Sequence, residues 1–113
     1  MSYQIVVLVE NLDASRYFYR EVLKFGPVTL DSNYRVVFEL SSDLSLVLEK
    51  CTVGFMEHAS GATRFAFECE DVPALDERLK KDGCALSDPF EFLGRTAYRG
   101  NDPDGNVFLV IGK

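Results

Sequence analysis

Asn101-Asp102-Pro103-Asp104-Gly105-Asn106-Val107-Phe108-Leu109-Val110-Ile111 is the stretch from which the rest of the chain can be read. Proline presets φ for a turn, glycine accepts positive φ, and the Asp side chains can bond nearby backbone N–H groups. An apolar run follows at once, so the segment reads as a tight turn feeding a closing β-strand. Alternation places Val107, Leu109 and Ile111 on one face and Phe108 and Val110 on the other. Both faces are apolar, so both call for cover.

Upstream of this strand the same unit occurs twice. Gln4 to Val9 is a β-branched strand. Asn11 can cap a helix, and Asp13 places negative charge in its first turn. Ser15, Phe18, Val22 and Phe25 then recur at helical spacing, with Tyr17 and Leu23 broadening that face, until Gly26 ends it. Val28 to Leu30, Tyr34 to Leu40 and Leu44 to Glu49 are three further strands, divided by polar turns. Residues 50–62 follow neither period and form a connector. The pattern then restarts. Arg64 to Cys69 is the strand, Asp71 the cap, Pro73 a first-turn residue and Gly83 the stop, with Val72, Leu75 and Leu79 as the apolar face. Ala85 to Ser87, Arg95 to Arg99 and Val107 to Ile111 complete the second unit.

Asn11 and Asp71 are 60 residues apart, as are Leu12 and Val72, and the same shift carries Gln4 onto Arg64. The expectation is an α+β fold of two βαβββ modules related by a pseudo-twofold. Module 1 covers residues 1–49 and module 2 residues 63–113, in one domain of 1–113. One helix covers one face of each four-stranded mixed sheet, so Ile5, Val7, Val9, Phe65 and Phe67 should lie under helices. Gln4, Val6, Leu8, Arg64, Ala66 and Glu68 face the other way, toward a cleft enclosed by the sheets with the helices outside.

Composition narrows the function. The chain is 47% hydrophobic and 27% charged, as in a soluble globular protein, and no apolar run is long enough to span a bilayer. A net charge of −6 argues against a nucleic-acid partner. The start of the chain, Met1-Ser2-Tyr3-Gln4, lacks a basic n-region and does not resemble a secretory signal. Three cysteines without CxxC spacing read as free thiols in a reducing cytoplasm. With His58 the only histidine, a three-histidine metal site within one chain is excluded.

The capped helix with Ser15-Arg16-Tyr17-Phe18-Tyr19, the Phe65-Ala66-Phe67 strand with Asp71-Val72, and the Asp102 to Asn106 turn together resemble the vicinal oxygen chelate superfamily. That group includes glyoxalase I, extradiol dioxygenases, fosfomycin-modifying enzymes and bleomycin resistance proteins. The resemblance covers essentially the whole chain. It implies metal-ligand positions at Gln4, Arg64 and Leu109, with a fourth on Leu44 to Glu49, where only Glu49 could coordinate. One amide, one cation and one aliphatic chain are poor ligands for a divalent ion. The expectation is therefore no metal and no cofactor. The chain reads as a metal-independent small-molecule binder of the bleomycin-resistance type, with a diverged glyoxalase-like lyase or dioxygenase-like enzyme as the alternative.

No catalytic residue is assigned. The expected cleft residues are Gln4, Val6, Phe38, Glu49, Arg64, Glu68, Tyr98 and Leu109, with Phe38, Tyr34 and Tyr98 able to stack on a flat ligand. His58 reads as a solvated loop residue. Arg95 and Arg99 share a face and are either solvated or pocket-lining. Arg64 pairs with Glu49 or serves a ligand carboxylate or phosphate. Open sheet edges and an uncovered apolar face point to a homodimer whose cleft both chains wall, with Phe55 and Met56 as partner contacts.

Overall fold

The computed structural model describes residues 1–51 and 62–112. Most of the expected connector, including Phe55, Met56 and His58, therefore lies outside the described residues. β1 (Tyr3–Val9) leads into α1 (Leu12–Tyr17), capped by Asn11 accepting from the Ala14 N–H. β2 (Val28–Asp31), β3 (Arg35–Ser41) and β4 (Leu44–Lys50) complete the first module. β5 (Arg64–Cys69), α2 (Val72–Lys81), β6 (Phe90–Phe92), β7 (Arg95–Asn101) and β8 (Val107–Gly112) form the second. The sheets run β1-β4-β3-β2 and β5-β8-β7-β6. In each, the first and last strands of the module pair in parallel and the other pairs are antiparallel. The expected fold class is thus the observed one: two similar modules with mixed four-stranded sheets.

Two local readings are corrected. The strand expected at Ala85 to Ser87 instead lies at Phe90–Phe92. It pairs with β7 through a turn in which Leu93 and Gly94 both have positive φ, 51° and 76°. Such a turn ordinarily advertises itself as Asn-Gly or Asp-Gly, and leucine hides it. Pro89, lacking an N–H, interrupts the ladder, so the earlier segment keeps only the Ser87 N–H on the Arg99 carbonyl at 2.9 Å and the Arg99 N–H on the Ser87 hydroxyl. The second correction concerns the first helix. After Tyr17 the chain widens into a π-helical turn, Phe18–Val22, closed by the Leu23 N–H on the Phe18 carbonyl at 2.9 Å. This carries the consecutive residues Phe18 and Tyr19 both into the interior, fully buried, whereas Tyr17 is exposed.

Those two rings join the modules. Tyr19 lies 6.4 Å from Phe38 of the first sheet and 6.3 Å from Phe65 of the second, centroid to centroid. Phe18 lies 6.0 Å from Phe108, and Phe25 lies 5.0 Å from Phe67. The helix-covered sides of both sheets consequently share one core, in which Val7, Val36, Leu46 and Leu48 cluster with Leu75, Leu79 and Val110. Gly100 makes room for Phe108, since a Cβ there would stand 2.4 Å from the ring. Arg78 adds a link between the helices by donating to the Val22 carbonyl at 2.9 Å.

The Asp-Pro-Asp-Gly turn fastens this arrangement. Asp102 is 5% exposed and accepts from the Asp104 and Asn106 N–H groups, from Asn106 Nδ2, and from the Tyr19 hydroxyl at 2.7 Å. Asp104 turns the other way. It accepts from the Glu10 N–H at 3.0 Å and the Ser15 hydroxyl at 3.2 Å, where β1 meets α1. Asn106 Oδ1 takes the Thr63 N–H just ahead of β5. One turn thus bonds to its own backbone, to the first helix and to the neighbouring strand.

Burial, reinforced by Asp102, pushes the Tyr19 hydroxyl far above the ordinary tyrosine value, so it remains a donor. A pKa raised on folding contributes stability in full below the unfolded value, about 10, and that contribution is lost as pH climbs beyond it. Tyr19→Phe should lower the unfolding free energy by about 1–3 kcal/mol at neutral pH. Urea titrations at rising pH should also show the variant losing less stability above about pH 10 than the parent does. Parallel alkaline profiles would contradict the assignment.

Candidate functional site

The helix-covered sides of the two sheets meet in the shared core, where a cleft with the helices outside was expected, so the outward side of each sheet is the candidate binding surface. Pairing fixes which residues occupy it. On the first sheet Gln4, Val6 and Leu8 stand beside Ser45, Val47 and Glu49, which stand beside Glu39, Val37 and Arg35. On the second, Arg64, Ala66 and Glu68 stand beside Val107, Leu109 and Ile111, with Asn101, Arg99 and Ala97 beyond them. Each face has an apolar centre. Val6 is 43% exposed, Ala66 is exposed, and Leu8, Leu109 and Ile111 are half-buried.

Gln4, Val6, Arg64, Glu68 and Leu109 stand where alternation placed them, with Gln4 and Arg64 at matching points of β1 and β5. The two aromatic assignments do not survive. Phe38 pairs with Leu46 and is fully buried against Tyr19, so it belongs to the core. Tyr98 pairs with Val110 on the helix side and lines a hollow with Val72 and Pro73. In both strands the flanking residues, Val37 and Glu39 or Ala97 and Arg99, are the outward ones.

Glu49 is also reassigned. Its Oε1 accepts from Arg35 Nε at 3.0 Å and from the same guanidinium's terminal nitrogen, directly across β3 and β4. Glu68 meets Arg95 Nη1 at 2.6 Å. Among the described residues Arg64 makes no ion pair, and it is exposed. The sequence expectation of an Arg64–Glu49 pair therefore fails: a cross-strand neighbour on Glu49's own sheet holds that carboxylate. Arg35 was missed because its pairing register, and not any motif, brings it there.

Register also relocates the fourth position that the metal-using relatives suggest. Gln4 lies opposite Ser45 as Arg64 lies opposite Val107, so Leu109 corresponds to Val47, two residues short of Glu49. An amide, a guanidinium and two aliphatic chains offer no fit for a divalent cation. Among the described residues no three His, Cys, Asp or Glu side chains gather as a metal site. Neither Cys51 nor Cys84 is an activated nucleophile. Burial, with nearby carboxylates, raises both Cys51 and Cys84 above the ordinary thiol value. No helix among the described residues is long and apolar enough to cross a membrane.

Two βαβββ modules sharing a helix-side core, each with an open sheet face, define a paired-module α+β protein. The profile of the Glyoxalase/Bleomycin resistance protein/Dioxygenase superfamily matches residues 3–110, and the chain belongs to that family. Among solved structures it is similar to TnmS3, an antibiotic binding protein from Streptomyces sp. CB03234, at 24% identity and a TM-score of 0.79, covering 99% of this chain and 94% of that one. A glyoxalase / bleomycin resistance protein from Catenulispora acidiphila DSM 44928 shows 19% identity and a TM-score of 0.75, covering 100% and 98%. At these identities the likeness establishes the fold. No curated protein matches the chain.

An exposed Arg64 without Glu49 leads to a definite expectation. In a double-mutant cycle of Arg64→Met and Glu49→Met, the two stability changes should add to within about 0.5 kcal/mol. A coupling above ~1 kcal/mol would restore the internal pair.

Proposed function

We propose that the protein binds a small organic molecule without a metal and without chemistry of its own, on the outward sheet faces. The observation that carries this is the pairing of an exposed apolar centre with the chemistry around it. Val6, exposed, and Leu109, half-buried, stand near Gln4 and Arg64, residues suited to recognising a ligand and unsuited to holding a divalent cation. The printed description of TnmS3 as antibiotic binding adds support, because that role is carried on the same fold.

The same faces argue for a homodimer. Within one chain the helix sides meet, so the outward faces gain a second wall from another copy. The cleft is then built by two chains, with Gln4, Val6, Arg64 and Leu109 among its lining and Glu49 and Glu68 at its charged margins. The described cysteines are free, which suits a cytoplasmic setting.

Thermal unfolding across a library of metabolites and antibiotics, with and without chelator, tests the reading. A true ligand at a hundredfold excess over its Kd should add about 2.7 kcal/mol of stability, and EDTA should leave the midpoint unchanged. Stoichiometric metal in untagged protein, or a midpoint that falls with chelator, would overturn metal independence. A library that stabilises nothing would overturn binding. Sedimentation at micromolar concentration should show the dimer.

A further inference from the structure

The second sheet's outward face carries a charge pattern that an apolar binding surface alone does not require. Resting on the binding role above, we propose that its ligand is an organic anion: a ring-sized apolar body bearing a carboxylate or sulfonate, held by Arg64 and Arg99. The two arginines flank β8 from opposite sides, Arg64 opposite Val107 and Arg99 opposite Leu109. With strands about 4.8 Å apart and a rise of about 3.3 Å per residue, their Cα atoms stand about 12 Å apart, a gap that two long side chains can close above Leu109.

Both arginines are exposed, and among the described residues neither makes an ion pair. The other charges of the face contrast with them. Arg95 is matched by Glu68 at 2.6 Å, so the far end of the face is neutralised while this end keeps two positive charges. Arg35 on the first sheet is likewise matched by Glu49. On a chain of net charge −6, two unmatched guanidinium groups over an apolar strip form a local site of opposite sign. A guanidinium offers a planar fork of donors to a carboxylate or sulfonate, and it stays charged at every working pH. Ala66, Leu109 and Ile111 supply the surface on which the ligand's apolar body rests.

Fluorescence titration with 1-anilinonaphthalene-8-sulfonate and with N-phenyl-1-naphthylamine separates the two claims, because the second probe is the first without its sulfonate. The sulfonate should bind about tenfold more tightly than the neutral probe, as expected for hydrogen bonds to a charged group. Arg64→Met with Arg99→Met should weaken the sulfonate by about tenfold and leave the neutral probe unchanged. Arg64→Gln with Arg99→Gln should do the same, which guards against a fold defect peculiar to the methionine pair. Lys80→Met, on the exposed side of α2 in a pair with Asp76, should change neither affinity. Equal binding of both probes, or an undiminished sulfonate affinity in the double variants, overturns the organic-anion inference and leaves the binding role standing. Binding of neither probe overturns the binding role itself.

Discussion

A buried carboxylate sets the terms for the whole molecule. Asp102 sits almost out of water, where an unbonded charge would cost several kcal/mol, and it meets four hydrogen-bond donors. Three of them come from its own turn and shape it. The fourth is Tyr19, from the other module and 83 residues away in sequence. Turn formation and module docking are thus tied to one side chain, and Asp104 extends the hold to Ser15 and Glu10. With the turn seated, Phe108 and Val110 of the closing strand are pressed inward, and Phe18, Tyr19 and Phe25 bridge the two sheets. The aromatic core and the buried hydrogen bond support one another, because the ring held between Phe38 and Phe65 carries the hydroxyl that reaches Asp102.

Much of this was legible in the sequence, and the reasons for the misses are physical. Local signals carried well. The turn, both helix caps and the alternation that put Phe65 and Phe67 inside and Arg64 outside all depend on neighbours a few residues away. Tyr19 was less legible because a π-helical turn breaks the 3.6-residue period on which the helical face was read. β6 was misplaced because Leu93 adopts a positive φ that leucine seldom takes. Phe38 and Tyr98 were put on the wrong face because their aromatic character outweighed their position in the alternation. Glu49 was given the wrong partner because the register between β3 and β4 lies beyond any motif. Apart from Phe38 and Tyr98, which their own alternation places correctly, a long-range contact or a rare backbone state overruled a local preference.

The repeat explains why one side of each sheet stays outside the shared core. Two modules that each bury one sheet side in a common core leave two similar surfaces on their other sides. Gln4 and Arg64 occupy matching places on them, as do Val47 and Leu109. The modules therefore share architecture while differing in charge. The first face balances Arg35 with Glu49, and the second keeps Arg64 and Arg99 unmatched among the described residues. Under the proposed function, the shared core and ligand recognition fall on opposite sides of the same strands.

All of this depends on the modules being locked through Tyr19 and Asp102, so the energy of that one contact is the quantity to measure. A double-mutant cycle of Tyr19→Phe and Asp102→Asn, read by urea unfolding, isolates it from the other bonds that Asp102 makes. The account predicts a coupling energy above ~1 kcal/mol, as for a buried hydrogen bond to a charged group. Strictly additive effects would mean that the turn does not clasp the first module, and the shared core would need another explanation.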